Sequence, residues 1–149
     1  LPRAYADGTD IEARAQLMSA AAMGATAFQK GLGAIHAMSH PIGAVFNTHH
    51  GTTNAVCMPA VLDLNEPEIR ERFDRAAGYL GIDGGYDGFR AFVQEFNDSF
   101  GIPRKLSEMG VSADRIDDLV AMALEDPSCG GNPVTLTTEN LRKLFEATI

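Results

Sequence analysis

All four histidines of this chain lie within fifteen consecutive residues: His36, His40, His49 and His50. The surrounding segment, residues 31–59, contains no Lys, Arg, Asp or Glu. A segment this apolar is expected to be buried, and buried imidazoles need polar partners. The cluster therefore indicates a site at which imidazole nitrogens do chemistry.

The spacing of three of these histidines suits metal binding. His36 and His40 are four residues apart, which places both rings on one face of a helix. A turn in the break between Pro41 and Gly43 would fold His50 back against that helix. Neutral imidazoles that converge in a dry pocket bind a divalent ion such as Zn²⁺ or Fe²⁺. The alternative is that these are ordinary histidines, each satisfied in the core or at the surface without binding a metal.

The number of ligands in this segment is too small for a complete catalytic site. Such sites usually take three or four protein ligands, often including a carboxylate. Residues 31–59 supply no Asp or Glu. We therefore expect the other ligands to come from elsewhere in the chain or from residues that it does not contain.

The elements that must position the histidines are predicted to be helices. Apolar residues recur at helical spacing, and no alternating β-branched run indicates a strand. The sequence therefore predicts one all-α domain over residues 1–149. Seven helical segments are expected, at about residues 9–30, 33–40, 52–59, 65–80, 88–100, 112–126 and 137–148.

Local signals give these segments their expected ends. Thr9 and Glu12 fit a capping box at the start of the first helix, and its small residues favour a central position in a bundle. Pro41 is expected to end or kink the second helix. Asn65 and Pro67 are typical of a fresh helix start.

Composition excludes several classes of function. The chain has 149 residues, with 12 basic and 20 acidic side chains and a net charge of −8. Such a chain repels phosphate backbones, so nucleic acid is not an expected partner. No apolar run is long enough to span a membrane. Cys57 and Cys129 form no CxxC pair, which favours reduced thiols and a cytoplasmic location over a single disulfide.

The segment GLGAIHAMSHPIGAVFNTHHGTTNAVCMP resembles the histidine signature of the iron-containing alcohol dehydrogenases, G-x-x-H-x-x-x-H-x-(I/L)-G-x(6)-H-G-x-x-N-A. The lead-in LPRAYADGTDIEAR, the stretch IPRKLSEMGVSADRIDDLVAMALED and the end GGNPVTLTTENLRKLFEA also resemble that family. Every part is similar to the family's C-terminal helical domain, of the dehydroquinate synthase-like fold. None is similar to its N-terminal dinucleotide-binding domain.

This resemblance implies roles for the histidines. His36 and His50 would be metal ligands, and His40 would lie near the nicotinamide and the reacting oxygen, where it could relay a proton. The family's other ligands, an Asp and a His four residues apart, would precede Leu1. Many members have Pro where this chain has His49, so His49 is expected at the pocket edge or surface. Cys129 could border the site, although an inert loop thiol is the simpler interpretation.

The implied activity is oxidation of a primary or other small alcohol to an aldehyde or ketone. Fe²⁺, or else Zn²⁺, would bind here, and NAD or NADP would bind mainly to the absent N-terminal domain. The isolated chain is then expected to be inactive, and its exposed docking face could drive homo-oligomer formation. Two alternatives are a stand-alone helical metal-binding module, and a related zinc glycerol dehydrogenase or hydroxyacid transhydrogenase.

Overall fold

A computed structural model describes residues 1–149 and divides the chain into two compact units, Leu1–Gly31 and Leu32–Ile149. All regular structure in both units is helical, and neither contains a strand. The predicted all-α class is therefore confirmed. The prediction of one domain over residues 1–149 stays a prediction.

The first unit consists of two helices, α1 (Pro2–Ala6) and α2 (Ile11–Ala27), and a 3₁₀ turn over Phe28–Lys30. The cap of α2 is Asp10, whose side chain accepts a hydrogen bond from the backbone of Ala13, so the predicted Thr9 capping box is wrong by one residue. The central position expected for α2 is also wrong within this chain, because Ala13 is its one buried residue. The small side chains of α2 are distributed around the whole helix, so no apolar stripe selects one face for burial.

The second unit contains five α-helices. They are α3 (Ala34–Phe46), α4 (His50–Leu80), α5 (Gly85–Ser99), α6 (Ile116–Glu125) and α7 (Thr138–Thr148). Helix α4 packs against α3, α5 and α7, while α6 packs against α3 and α7. Three 3₁₀ turns lie at Leu106–Met109, Ala113–Arg115 and Pro127–Gly131.

One apolar core joins α3, α4, α6 and α7. Its members are fully or almost fully buried and include Ala34, Met38, Ile42, Cys57, Leu119, Ala123, Leu141 and Phe145. The α3 members, Ala34, Met38 and Ile42, recur every four residues and so form one stripe along the helix. His36 and His40 are displaced from that stripe by two residues, roughly 200° around the helix at about 3.6 residues per turn. Helix α3 therefore turns its core face away from its histidines.

The predicted boundaries of α3 and α4 are wrong because both helices continue through proline. Pro41 lies inside α3, which ends at Asn47, and Pro59 and Pro67 lie inside the 31-residue α4. An internal proline costs a helix about 3 kcal/mol, and tertiary packing can offset that cost. Pro41 and Pro59 are buried in their helices, where such packing is available.

Other predicted boundaries are confirmed. Helix α6 ends at Glu125, before Pro127, and Thr137 caps α7 through a hydrogen bond from the backbone of Asn140. Leu141, Leu144 and Phe145 lie on the buried face of α7. No helix is both long enough and apolar enough to cross a membrane.

Candidate metal centre

A three-residue turn between α3 and α4 brings the histidines together. Asn47 adopts the left-handed conformation (φ 53°, ψ 39°) and ends α3, and α4 starts at His50. Asparagine tolerates this conformation better than most residues. The sequence suggested a turn between Pro41 and Gly43. The structure places it at Asn47–His49 instead. It nevertheless folds His50 back toward α3.

The rings of His36, His40 and His50 form a compact triangle. Their centroids are 5.5 Å apart for His36 and His40, 5.3 Å for His36 and His50, and 5.7 Å for His40 and His50. The last two rings are nearly parallel, with an interplanar angle of 13°. The structure therefore brings together the three histidines that the sequence selected.

Asn54 connects the two histidines that were expected to bind metal. Its amide nitrogen Nδ2 lies 3.1 Å from Nε2 of His50 and 3.4 Å from Nε2 of His36. Because an amide nitrogen can only donate, both imidazole nitrogens act as acceptors in this arrangement. The Nε2 lone pairs of His36 and His50 therefore face a common point.

The expectation that the cluster is buried in a dry pocket is wrong. His36 is half-buried, whereas His50 is exposed and the His40 side chain is 42% exposed. The cause is the position of the histidines on α3, opposite its core stripe. Burial nevertheless lowers the pKa of His36, and the positive charges of protonated His50 and His40 lower it further, against a smaller opposing effect of Asp126. The neutral, ligating form of His36 is thereby favoured.

Asp126 is a member of the site that sequence reasoning missed. Its Oδ2 atom lies 2.7 Å from Nδ1 of His40, and its side chain is only 11% exposed. Its Oδ1 atom accepts a hydrogen bond of 2.8 Å from the backbone of Ser128. Burial raises the pKa of this carboxyl, but the Ser128 and His40 hydrogen bonds outweigh it, and the net pKa is lowered. The carboxylate therefore stays ionised beside His40.

A pair of asparagines holds the loop that presents Asp126. Asn132 and Asn65 exchange side-chain hydrogen bonds of 3.0 and 2.7 Å, and Oδ1 of Asn132 also accepts one of 3.1 Å from the backbone of Ala34. The first turn of α3 is thus tied to the loop after α6. Its sequence context suggested that Asn65 starts a helix, and this prediction is wrong. Asn65 lies inside α4, where its side chain pairs with Asn132.

The remaining candidates have structural positions. His49 is exposed and caps α4, accepting a hydrogen bond of 3.2 Å from the backbone of Thr52. Cys57 and Cys129 are both free thiols. The Cys129 thiol donates to the carbonyl of Ala123 at 2.8 Å, and burial followed by the charge of Asp126 raises its pKa. These contacts give neither His49 nor Cys129 a nucleophilic or ligating role.

Comparison with known proteins identifies the family. The whole chain, residues 1–149, matches the family model described as "Fe-containing alcohol dehydrogenase family, C-terminal". The chain belongs to this family. It is 39% identical to a 4-hydroxybutyrate dehydrogenase of Cupriavidus necator and 36% identical to an NAD-dependent methanol dehydrogenase of Bacillus methanolicus. Each alignment covers 98% of this chain and 40% of the relative.

Solved structures agree with the family assignment. An alcohol dehydrogenase from Oenococcus oeni superimposes with a TM-score of 0.90 at 26% sequence identity. The match covers 99% of this chain and 40% of that protein. The chain therefore spans about 40% of the length of these relatives, and it has the fold of their C-terminal helical part.

Proposed function

We propose that the chain is the metal-binding part of an iron-dependent alcohol dehydrogenase that oxidises a primary or other small alcohol with NAD or NADP. The observation that carries this proposal is the shared contact of Asn54 Nδ2 with Nε2 of His36 and of His50. Two imidazole lone pairs that face one point provide two adjacent positions of a metal site. Relatives named for 4-hydroxybutyrate and methanol support a small hydroxyl substrate.

The donor set fits a divalent ion. Imidazole nitrogens suit Fe²⁺ and Zn²⁺ equally well, and the lowered pKa of His36 leaves its ring neutral near pH 7. No group of three or more His, Cys, Asp or Glu side chains in residues 1–149 is arranged to hold a metal by itself. We propose that an Asp and a His, four residues apart and preceding Leu1, supply the other ligands.

His40 is proposed as the residue that moves the substrate proton. Asp126 accepts a hydrogen bond from Nδ1–H of His40, which leaves Nε2 of that ring to take a proton from the alcohol. The bound metal would make the hydroxyl more acidic, and the nicotinamide would accept the hydride. The exposed side of the His40 ring gives the proton a route to solvent. His40 would also lie against the nicotinamide, as the family resemblance implies.

Loss of the ligands tests this proposal. In the polypeptide that contains this chain, His36→Ala and His50→Ala should each abolish bound metal, measured by elemental analysis, and lower alcohol-dependent NADH formation at least 100-fold. His49→Ala is the matched control, because His49 adjoins His50 but caps a helix instead of facing Asn54. Full metal content in both ligand variants would overturn the assignment.

The isolated chain provides a second test. Residues 1–149 alone should show no alcohol-dependent reduction of NAD or NADP, because we expect the cofactor to bind mainly to an N-terminal domain. Turnover by this chain alone would contradict the proposal. Tight stoichiometric metal without turnover would instead favour a stand-alone metal-binding module.

A further inference from the structure

Asn54 contacts the Nε2 atoms of both His36 and His50. It lies four residues after His50 on α4 and so projects from the same face of that helix. His36 meets it from α3. The amide thus bridges two helices at the point toward which both imidazoles direct a nitrogen.

The direction of the hydrogen bonds determines the tautomer of each ring. A neutral imidazole carries one proton, and the nitrogen that lacks it is the acceptor. Since Nδ2 of Asn54 has only hydrogens to offer, Nε2 is unprotonated in both rings and Nδ1 carries the proton. This is the tautomer that a metal ligand binding through Nε2 must have.

The orientation of the Asn54 amide depends on the histidines. Its Oδ1 atom is buried and has no hydrogen-bond partner in the structure. A buried acceptor without a partner is unfavourable, and no contact of the oxygen holds the amide in this direction. The amide orientation and the ring tautomers are therefore coupled: Nδ2 toward the site requires Nε2 acceptors, whereas the reversed amide would require Nε2–H donors.

We propose that Asn54 is a positioning residue that sets the Nδ1–H tautomer of His36 and His50 and aligns their Nε2 lone pairs before a divalent ion binds. The metal part of this inference rests on the proposed function, whereas the tautomer part does not. Residues that orient metal-binding histidines usually accept the proton of the non-ligating nitrogen. Asn54 instead donates to the ligating nitrogen itself, so its amide would have to release both Nε2 lone pairs as the ion takes them.

Nitrogen NMR of the imidazole rings tests the tautomer in the metal-free polypeptide that contains this chain. At pH 8 the wild type should show Nδ1–H for His36 and His50. Asn54→Asp has the same shape but presents an acceptor, so it should reverse at least the His50 ring to Nε2–H. Asn54→Leu removes the donor and should leave a mixture of tautomers.

The affinity for a divalent ion provides a second test of the role of Asn54. Competition with a chelator for Co²⁺ should show that Asn54→Leu binds about 10-fold or more weakly, the usual effect of losing a residue that orients a ligand. Thr52→Ala is the control, since Thr52 lies in the same turn of α4 but contacts His49. The control should bind Co²⁺ as the wild type does.

The outcomes separate this inference from the proposed function. Unchanged tautomers in both Asn54→Asp and Asn54→Leu would overturn the role of Asn54. If Asn54→Leu does not fold, the isosteric Asn54→Asp variant alone decides. Failure of the wild type to bind any divalent ion would instead overturn the proposed function, and the NMR result would still decide the role of Asn54.

Discussion

Nδ1 of His40 and Oδ2 of Asp126 lie 2.7 Å apart, although 86 positions separate them in the chain. His40 belongs to α3, and Asp126 begins the 3₁₀ turn after α6. The contact places an ionised carboxylate behind the ring that we propose as the proton carrier. A carboxylate in this position fixes the tautomer of the ring and stabilises its protonated form.

Removal of this carboxylate should slow turnover. Asp126→Asn keeps the shape of the side chain but loses the charge, so we expect kcat of the intact enzyme to fall about 10-fold or more with a smaller change in KM. Steady-state kinetics with a small alcohol measure both constants. Asp118→Asn is the control, because Asp118 pairs with Arg115 on the exposed side of α6. An unchanged kcat in Asp126→Asn would exclude a role for Asp126 in proton transfer.

The same carboxylate should make stability depend on pH. The net pKa of Asp126 is lowered in the folded chain, so the unfolded chain binds its proton more readily. The stabilisation is fully present above the unfolded pKa of about 3.9 and is lost as the pH falls through the lower folded pKa. Urea unfolding should show the wild type more stable than Asp126→Asn at pH 6, with the difference shrinking below pH 4. A difference that grows on acidification would contradict the lowered pKa.

The loop after α6 should tolerate little added volume at one of its two adjacent glycines. A Cβ at Gly131 would lie 2.0 Å from the backbone oxygen of Leu32, whereas a Cβ at Gly130 would meet nothing within 4 Å. Gly131→Ala should therefore lower the free energy of unfolding by about 1–3 kcal/mol, the range for overpacked sites. Gly130→Ala is the matched control and should change it by less than about 0.5 kcal/mol. Equal effects of the two substitutions in urea unfolding would contradict this close approach.

The two thiols should react at different rates. Burial raises the pKa of Cys57 to about 12, and its side chain is inaccessible. Cys129 is only partly buried. Because the thiolate is the reactive form, a disulfide reagent at pH 8 should label Cys129 slowly and Cys57 only after unfolding. Cys129→Ser should then show no labelling in the native state, and rapid native labelling of that variant would contradict the burial of Cys57.

The sequence predicted that His36, His40 and His50 lie together because their spacing is local. The helical period places His36 and His40 on one face, and His50 belongs to the same histidine signature. Asp126 could not be found in this way, since its contact with His40 depends on how α3 packs beside α6. A signal existed, an Asp immediately before Pro127 at a helix end, but it indicates a cap and not the histidine that the cap would face.

The exposure of the site was predicted wrongly because composition does not show which face of a helix is buried. The absence of charged residues in 31–59 suggested burial on all sides. The spacing of Ala34, Met38 and Ile42 gave the better guide, because it fixes the core face of α3 and thereby places His36 and His40 on the other side. A periodicity count within the segment would have corrected the prediction.

Proline was also overweighted as a signal of helix boundaries, and Pro67, which was expected in the first turn of a new helix, provides a test of its cost. Pro67 is an exposed interior residue of α4 and lacks the amide hydrogen that an ordinary residue would donate there. Its helix penalty is about 3 kcal/mol, and its restriction of the unfolded chain returns up to about 1 kcal/mol. Pro67→Ala should therefore raise the free energy of unfolding by about 2–3 kcal/mol. Urea unfolding measures the change, with exposed Glu68→Ala as the neighbouring control. A destabilised Pro67→Ala variant would show that the proline ring makes a packing contribution larger than its cost to the helix.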